Sequence, residues 1–121
     1  MDKKFDIIIY GATGFTGQLC LKYLSKNAND ISWAIAGRNK DKLENLKTEL
    51  SLNVDIFVAN SDDHEALDEI TKNTKVVLST AGPFHRYSSN LVKSCVKNSS
   101  HYVDITGEFF WIRDMIDLHH E

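Results

Sequence analysis

The segment Ile7-Ile8-Ile9-Tyr10-Gly11-Ala12-Thr13-Gly14-Phe15-Thr16-Gly17 decides the fold, because an apolar strand runs directly into a glycine-rich turn and a helix. Glycines at this spacing allow a tight turn, close backbone approach to a pyrophosphate and close packing of the helix on the strand. The first turn of the helix then directs its free N–H groups at the phosphates. The segment predicts a nucleotide phosphate site with these candidate contacts: Gly11, Ala12, Thr13, Gly14, Phe15, Thr16 and Gly17.

A second predicted strand, residues 31–36, is followed by Gly37-Arg38-Asn39. In an NAD site this strand end usually carries an acid that binds the adenosine ribose. Arg38 stands there instead, and a guanidinium binds a 2′-phosphate through charge-assisted hydrogen bonds. The sequence therefore favours NADP(H) over NAD(H). The alternative is that Arg38 is a solvated surface residue. Asn39 is a further candidate contact and is also suited to cap the following helix.

Short apolar runs alternate with amphipathic stretches along the chain, which indicates repeated strand–helix units. Further strands are predicted at 54–59, 75–81 and 101–105, and helices begin near Asn39, Asp62, Tyr87 and Glu108. Right-handed crossovers predict a Rossmann-like doubly wound parallel α/β sheet with strand order 3-2-1-4-5 between two helical layers.

A ligand of this fold lies across the carboxyl ends of the strands. That edge places Asp62 near an adenine, although Asp62 also suits a helix cap. The segment Thr80-Ala81-Gly82-Pro83-Phe84 would flank the nicotinamide side, with Ala81, Gly82 and Pro83 as the candidate contacts. The three residues 85–87 are either substrate contacts or ordinary polar residues of a helix start.

Two further strand-end residues, Asp104 and Thr106, are predicted to cap the last helix. A Tyr-x-x-x-Lys proton-transfer pair is missing after the fourth strand, because Leu91 stands four residues after Tyr87. No catalytic residue is therefore assigned.

Composition excludes several classes of protein. The 121 residues carry a net charge of −3 with scattered lysines, so a nucleic-acid partner is not expected. The longest apolar runs are about six residues, far below the roughly 20 of a membrane span, and a signal peptide is not evident. A cytoplasmic location is expected. Cys20 and Cys95 lie in helical apolar patterns and are predicted to be packed, and the histidines lack metal-ligand spacing, so no metal is expected.

Four blocks together resemble the N-terminal domain of the saccharopine dehydrogenase-like oxidoreductases, which include the trans-acting enoyl reductases. The blocks are residues 11–17, residues 36–38, Ala81-Gly82-Pro83-Phe84 with Tyr87 and Cys95, and residues 101–108. The resemblance implies that residues 1–121 form one NAD(P)-binding domain of a longer protein, whose substrate and dimerisation region follows. It also implies that association with lipid surfaces is an alternative location.

The sequence thus predicts the cofactor domain of an NADP(H)-dependent oxidoreductase of unknown substrate, inactive as this chain alone. The alternatives are a non-catalytic dinucleotide sensor and a scaffold that has lost the cofactor. Self-association, including a homodimer, is expected from an open strand edge and from uncovered apolar side chains at Phe109, Phe110 and Trp111.

Overall fold

A computed structural model describes residues 3–27 and 30–120. Within them, five parallel strands form one sheet in the order β3-β2-β1-β4-β5, which confirms the predicted Rossmann-like topology. The strands are β1 (Phe5–Tyr10), β2 (Trp33–Gly37), β3 (Asp55–Val58), β4 (Thr74–Ser79) and β5 (His101–Asp104). The helices are α1 (Phe15–Asn27), α2 (Lys40–Glu49), α3 (His64–Lys72), α4 (Phe84–Tyr87), α5 (Ser89–Lys97) and α6 (Phe109–His119).

The two faces of the sheet carry separate apolar cores, because successive residues of β1 point in opposite directions. Ile9 packs with Leu21 and Leu43 beneath α1 and α2. Ile8 packs with Leu67 and Leu91 beneath α3 and α5. Each of these leucine and isoleucine side chains is fully buried, and such burial contributes about 1.5–3 kcal/mol per side chain. The predicted three-layer arrangement follows from this division.

The predicted helix at 87–97 is two helices that meet at Ser88. The first begins earlier than predicted, at Phe84, with Pro83 as its N-cap residue. Ser88 is fully buried; its N–H donates to the Phe84 carbonyl at 2.8 Å and its carbonyl accepts from Val92 at 2.9 Å. The turn at Ser88 therefore redirects the chain without leaving those two backbone groups unpaired.

Helix α3 is capped by Asp63 and not by Asp62, so the predicted cap at Asp62 is wrong. The side chain of Asp63 accepts the Ala66 N–H at 3.1 Å, as an N-cap residue does. The carboxylate of Asp62 is exposed and free of that role. Asn39 caps α2 as predicted, because its Oδ1 accepts the Lys42 N–H at 3.1 Å.

Both cysteines are at least partly buried: Cys95 is buried and Cys20 is half-buried. Burial raises the pKa of the Cys95 thiol to about 12, which leaves it unreactive at neutral pH. In the part of the chain that the structure describes, no helix is both long enough and apolar enough to cross a membrane.

The turn between β1 and α1 has no room for side chains at two of its glycines. Gly11 has φ of +83°, and a Cβ there would lie 2.9 Å from the Ala81 nitrogen. A Cβ at Gly17 would overlap the Gly11 carbonyl oxygen and lie 2.8 Å from the Ala12 Cα. Gly17 therefore allows the first turn of α1 to rest directly on the backbone of the preceding turn.

Replacing Gly17 with Ala is expected to lower the free energy of unfolding by about 1–3 kcal/mol, the usual range for overpacking against atoms that cannot move aside. The matched control is Gly14→Ala, because a Cβ at Gly14 would meet only the Gly11 carbonyl oxygen, at an ordinary 3.5 Å. Urea unfolding followed by circular dichroism measures both. Equal stability of the two variants would contradict the packing role of Gly17.

Candidate functional site

A cleft of about 210 Å³ opens at the carboxyl edge of the sheet, where the ends of β1, β2 and β4 meet. Its wall brings together the glycine turn, the end of β2 and the segment after β4. The lining residues are Tyr10, Gly11, Thr13, Gly14, Gly37, Arg38, Ser61, Thr80, Ala81, Gly82 and Tyr87.

The floor of the cleft is held by hydrogen bonds from the glycine turn to both neighbouring strands. The N–H groups of Gly11 and Ala12 donate to the Ala36 carbonyl at 3.0 and 3.2 Å. The Thr80 N–H and hydroxyl donate to the Tyr10 carbonyl at 3.0 and 3.2 Å. The turn is thereby fixed relative to β2 on one side and to β4 on the other.

The predicted phosphate contacts divide into three groups. Gly11, Thr13 and Gly14 line the cleft. Ala12 and Gly17 are buried beneath it and shape the backbone. The remaining two candidates are outside the lining: Phe15, which is 82% exposed, and the half-buried Thr16, both on the first turn of α1.

Gly14 differs from Gly11 and Gly17 because the packing of the fold does not require a glycine at position 14. Its ideal Cβ would meet protein only at 3.5 Å. A side chain at this position would instead take up space in the cleft that Gly14 lines. The glycine at this position therefore leaves that part of the cleft open.

Arg38 lies at the end of β2, exposed and lining the cleft. Its guanidinium makes no hydrogen bond or ion pair to any residue that the structure describes, so all of its donors are available to an anion. The guanidinium carbon lies 6.0 Å from the centroid of the Tyr87 ring.

Tyr10 lies in the floor of the cleft, and the pKa of its hydroxyl depends on burial and on nearby charges. Its hydroxyl donates to the Ala59 carbonyl at 3.0 Å. Burial raises the pKa of Tyr10, the positive charge of Arg38 lowers it, and the negative charge of Asp62 raises it. Arg38 lines the cleft, whereas Asp62 is not among the lining residues.

Of four further candidates, Asn39 and Pro83 are outside the lining, and Ala81 and Gly82 are part of it. Asn39 uses its amide oxygen for the α2 cap. Ala81 and Gly82 line the cleft, whereas Pro83 is exposed next to it and precedes α4. The Gly82–Pro83 peptide bond is cis.

The carboxylate of Glu108 holds the start of α4. Its Oε2 accepts the Phe84 N–H at 2.8 Å and its Oε1 accepts the His85 N–H at 3.0 Å. The same Oε1 lies 2.6 Å from the His85 Nδ1. These contacts, with the His85 N–H first, lower the pKa of Glu108 to about 2. Glu108 thus ties the segment after β5 to the segment that follows β4.

Alternate residues after the start of β5 brace Glu108. The Tyr102 hydroxyl donates to Asp104 Oδ2 at 2.6 Å, and Asp104 Oδ1 accepts the Thr106 N–H at 2.9 Å. Thr106 Oγ1 then accepts the Glu108 N–H at 3.0 Å. The predicted capping of α6 by Asp104 or Thr106 is wrong, because the N-cap residue of α6 is Glu108. Burial is the main cause of the raised pKa of Tyr102.

The apolar side chains at the start of α6 do not share one environment. Phe109 and Phe110 are 80% and 55% exposed, as predicted. Trp111 is only 5% exposed, so its predicted exposure is wrong. Its ring packs against Phe84 at 6.2 Å between centroids, and its Nε1 donates to Ser89 Oγ at 2.9 Å.

Sequence reasoning missed several lining residues. Tyr10 ends β1 and Ser61 follows β3 at the same edge of the sheet, and this position is the signal that could have found them. Thr80 is among the residues predicted after β4. Tyr87 is predicted as a substrate contact or as an ordinary polar residue of a helix start, and not as part of this wall. Within residues 3–27 and 30–120, no group of three His, Cys, Asp or Glu side chains is placed to hold a metal ion.

Known proteins resemble this chain over nearly its whole length. A sequence profile of the saccharopine dehydrogenase NADP binding domain matches residues 7–120. A trans-acting enoyl reductase of Mycobacterium leprae is 37% identical over 98% of this chain and 29% of its own length. A lipid droplet localized protein of Caenorhabditis elegans is 36% identical over 93% of this chain and 28% of its own length.

A solved structure adds a comparison of the fold. The triphenylmethane reductase of Citrobacter sp., in complex with NADP(H), superimposes with a TM-score of 0.79 at 19% identity. The match covers 95% of this chain and 46% of that one. At this identity the likeness shows a shared fold. The chain spans less than a third of the length of the two relatives named above.

Replacing Glu108 with Gln is expected to destabilise the chain at pH 7 and to have less effect as the pH falls. The pKa of Glu108 is about 2 in the folded chain against an ordinary 4.5. The ionised carboxylate therefore stabilises the fold above about pH 4.5, and this contribution is lost as the pH falls toward 2. Urea midpoints between pH 7 and pH 2.5 measure the difference between the two proteins.

The matched control is Glu44→Gln, an exposed glutamate of α2 whose side chain accepts no hydrogen bond from the described residues. A difference in stability between the wild type and Glu108→Gln that stays constant over the whole pH range would contradict this role of the ionised carboxylate.

Proposed function

Because the chain belongs to the family of saccharopine dehydrogenase NADP-binding domains, we propose that its cleft binds NADP(H) for hydride transfer by a longer oxidoreductase. One observation carries the proposal: the glycine turn, Arg38 and the segment after β4 form the wall of one cleft. When bound, the nicotinamide would supply the hydride, and the protein would position it.

The pyrophosphate would lie on the turn before α1. Gly11, Thr13 and Gly14 would contact it, Ala12 and Gly17 would shape the backbone, and the first turn of α1 with Phe15 and Thr16 would add its N–H groups.

The adenosine end would lie over the end of β2. Arg38 would bind the 2′-phosphate, with Asn39 and Asp62 at its border. At the other end of the cleft, Ala81, Gly82 and Pro83 would flank the nicotinamide ribose. The Thr80 hydroxyl donates to the Gly11 carbonyl at 3.1 Å, which supports this arrangement because it joins the segment after β4 to the glycine turn.

We propose that the substrate is bound outside this chain, since the relatives are about three times longer. The chain alone would bind the cofactor without useful turnover. The alternative is a dinucleotide sensor that does not catalyse. Oxidation of NADPH by the full-length protein, screened over enoyl thioesters, imines and ketones, separates the two: saturable oxidation supports the reductase, and binding without oxidation supports the sensor.

We propose a cytoplasmic location, with a lipid surface as the alternative. The second is supported by the lipid-droplet relative and by an apolar stripe on α1, where Phe15, Leu19 and Tyr23 are 82%, 52% and 67% exposed. Flotation with triolein droplets coated with phosphatidylcholine distinguishes them. Co-flotation that is lost in Leu19→Ser with Tyr23→Ser supports the lipid surface, and wild-type chain left at the bottom of the gradient supports the cytoplasm.

A homodimer also stays a prediction. Strand β5 has no neighbour on its outer side among the described residues, and Phe109 and Phe110 are exposed near it. An unpaired strand edge beside apolar surface favours association with a second copy. Light scattering over a range of concentrations would show whether dimers form, and a monomer at high concentration would contradict this.

NADPH is expected to bind more tightly than NADH, because Arg38 can neutralise the 2′-phosphate. A charge-assisted contact contributes about 1.5–3 kcal/mol, or roughly tenfold to hundredfold in affinity. Arg38→Ala should remove most of this preference and leave NADH binding nearly unchanged. Calorimetric titration of the chain with each dinucleotide measures both constants.

Two variants complete this test. Gly14→Val should abolish binding of both dinucleotides, since its side chain would occupy the proposed pyrophosphate position. Arg113→Ala removes an arginine that pairs with Asp117 at 2.8 Å on α6, and it should leave both affinities unchanged. An NADPH preference that survives Arg38→Ala would mean that Arg38 is only a surface residue.

A further inference from the structure

Arg38 and Tyr87 come from opposite sides of the cleft and lie close to each other in its wall. Arg38 follows β2 and Tyr87 ends α4, which follows β4, and β1 lies between those two strands in the sheet. Both residues line the cleft. The 6.0 Å between the Arg38 guanidinium and the Tyr87 ring centroid is within the range of a cation–π contact.

From this contact we infer that Tyr87 is a positioning residue for cofactor selectivity: its ring holds the Arg38 guanidinium ready for the 2′-phosphate of NADP(H). The inference rests on the proposed function, because it concerns the same cleft and the same cofactor. It adds a residue from the nicotinamide side to the recognition of the adenosine end.

The contact leaves Arg38 able to bind a phosphate. A guanidinium attracted to a ring face uses none of its five N–H donors in hydrogen bonds, and those donors form the planar fork that fits phosphate oxygens. The described residues take none of them either. Tyr87 therefore restricts where the charge lies without competing for the donors.

Restricting the rotamers of Arg38 affects the affinity for a 2′-phosphate, because an exposed arginine otherwise adopts many rotamers. Fixing such a side chain on binding costs conformational entropy, and a partner that already limits its rotamers reduces that cost. Tyr87 would therefore raise the affinity for the dinucleotide that carries the 2′-phosphate. Its effect on the affinity for NADH would be smaller, because NADH lacks the 2′-phosphate that the guanidinium would bind.

Tyr87 can restrict the Arg38 side chain because the position of Tyr87 is itself fixed by its surroundings. Its side chain is half-buried, and its N–H donates to the Pro83 carbonyl at 3.2 Å. The helix that carries it is clamped at its start by Glu108, and it ends at the buried Ser88. The phenol hydroxyl of Tyr87 makes no hydrogen bond to the described residues, so the ring alone accounts for the contact.

The test is calorimetric titration of the chain with NADPH and NADH for Tyr87→Leu and Tyr87→Phe. Tyr87→Leu should lower the affinity for NADPH by about twofold to fivefold, which corresponds to the usual strength of an exposed cation–π contact. Because Tyr87 also lines the cleft, NADH affinity in the same variant should fall less than NADPH affinity, and an unchanged circular dichroism spectrum shows that the fold is intact. Tyr87→Phe keeps the ring and should retain the NADPH affinity.

A double variant locates the effect on Arg38. In an Arg38→Ala background, Tyr87→Leu should lower the affinity for NADPH no more than the affinity for NADH, because the group that Tyr87 positions is gone. Adenosine 2′,5′-bisphosphate, which lacks the nicotinamide half, should show the same loss as NADPH in the single Tyr87→Leu variant.

Three results would overturn the inference while leaving the proposed function intact. They are an equal loss of NADPH and NADH in Tyr87→Leu, an unchanged NADPH affinity in that variant, and a Tyr87→Phe variant as weak as Tyr87→Leu. The last would assign the effect to the hydroxyl. A wild-type chain that binds neither dinucleotide would overturn the proposed function and this inference together.

Discussion

The close backbone contact between the β1–α1 turn and its surroundings is the constraint on which the rest of the structure depends. A Cβ at Gly17 would overlap the Gly11 carbonyl oxygen, so α1 can approach β1 only because this position is a glycine. The same turn is bonded to the ends of β2 and β4. The start of α1, the Arg38 side chain and the segment after β4 therefore face one cleft as a consequence of main-chain packing.

The far wall of the cleft is fixed by side chains instead. Residues 102–108 after the start of β5 form a chain of hydrogen bonds that ends in the Glu108 carboxylate, and this carboxylate holds the first N–H groups of α4. The wall at the β1–α1 turn thus depends on glycines that permit close backbone packing, and the wall at α4 depends on the charged Glu108 carboxylate. The second wall is the more sensitive to acid, because the pKa of Glu108 places its ionisation at about 2.

The fold followed from the sequence because its signals are local and agree with one another. The apolar runs, the glycine spacing and Asn39 as a cap each indicate the element that forms. The errors arose where tertiary contacts decide. Trp111 reads as exposed apolar surface, yet Phe84 and Ser89 bury it. Asp62 and Asp63 are equivalent by pattern, and only backbone geometry shows that Asp63 is the cap. The cleft was predicted in outline from Gly11, Gly14 and Arg38. Its contact between Arg38 and Tyr87 joins distant segments, so no local pattern could reveal it.

The unequal crowding of the three turn glycines gives a way to read how this chain could change over evolutionary time. Gly17 is demanded by main-chain packing, so a descendant that keeps the fold must keep it whatever its role. Gly14 is under no such demand, because the space beside it belongs to the cleft. A descendant that no longer needed a dinucleotide could acquire a side chain at position 14 and still fold. The residue at position 17 is therefore constrained by the packing of the fold, whereas a side chain at position 14 would narrow the cleft without disturbing that packing.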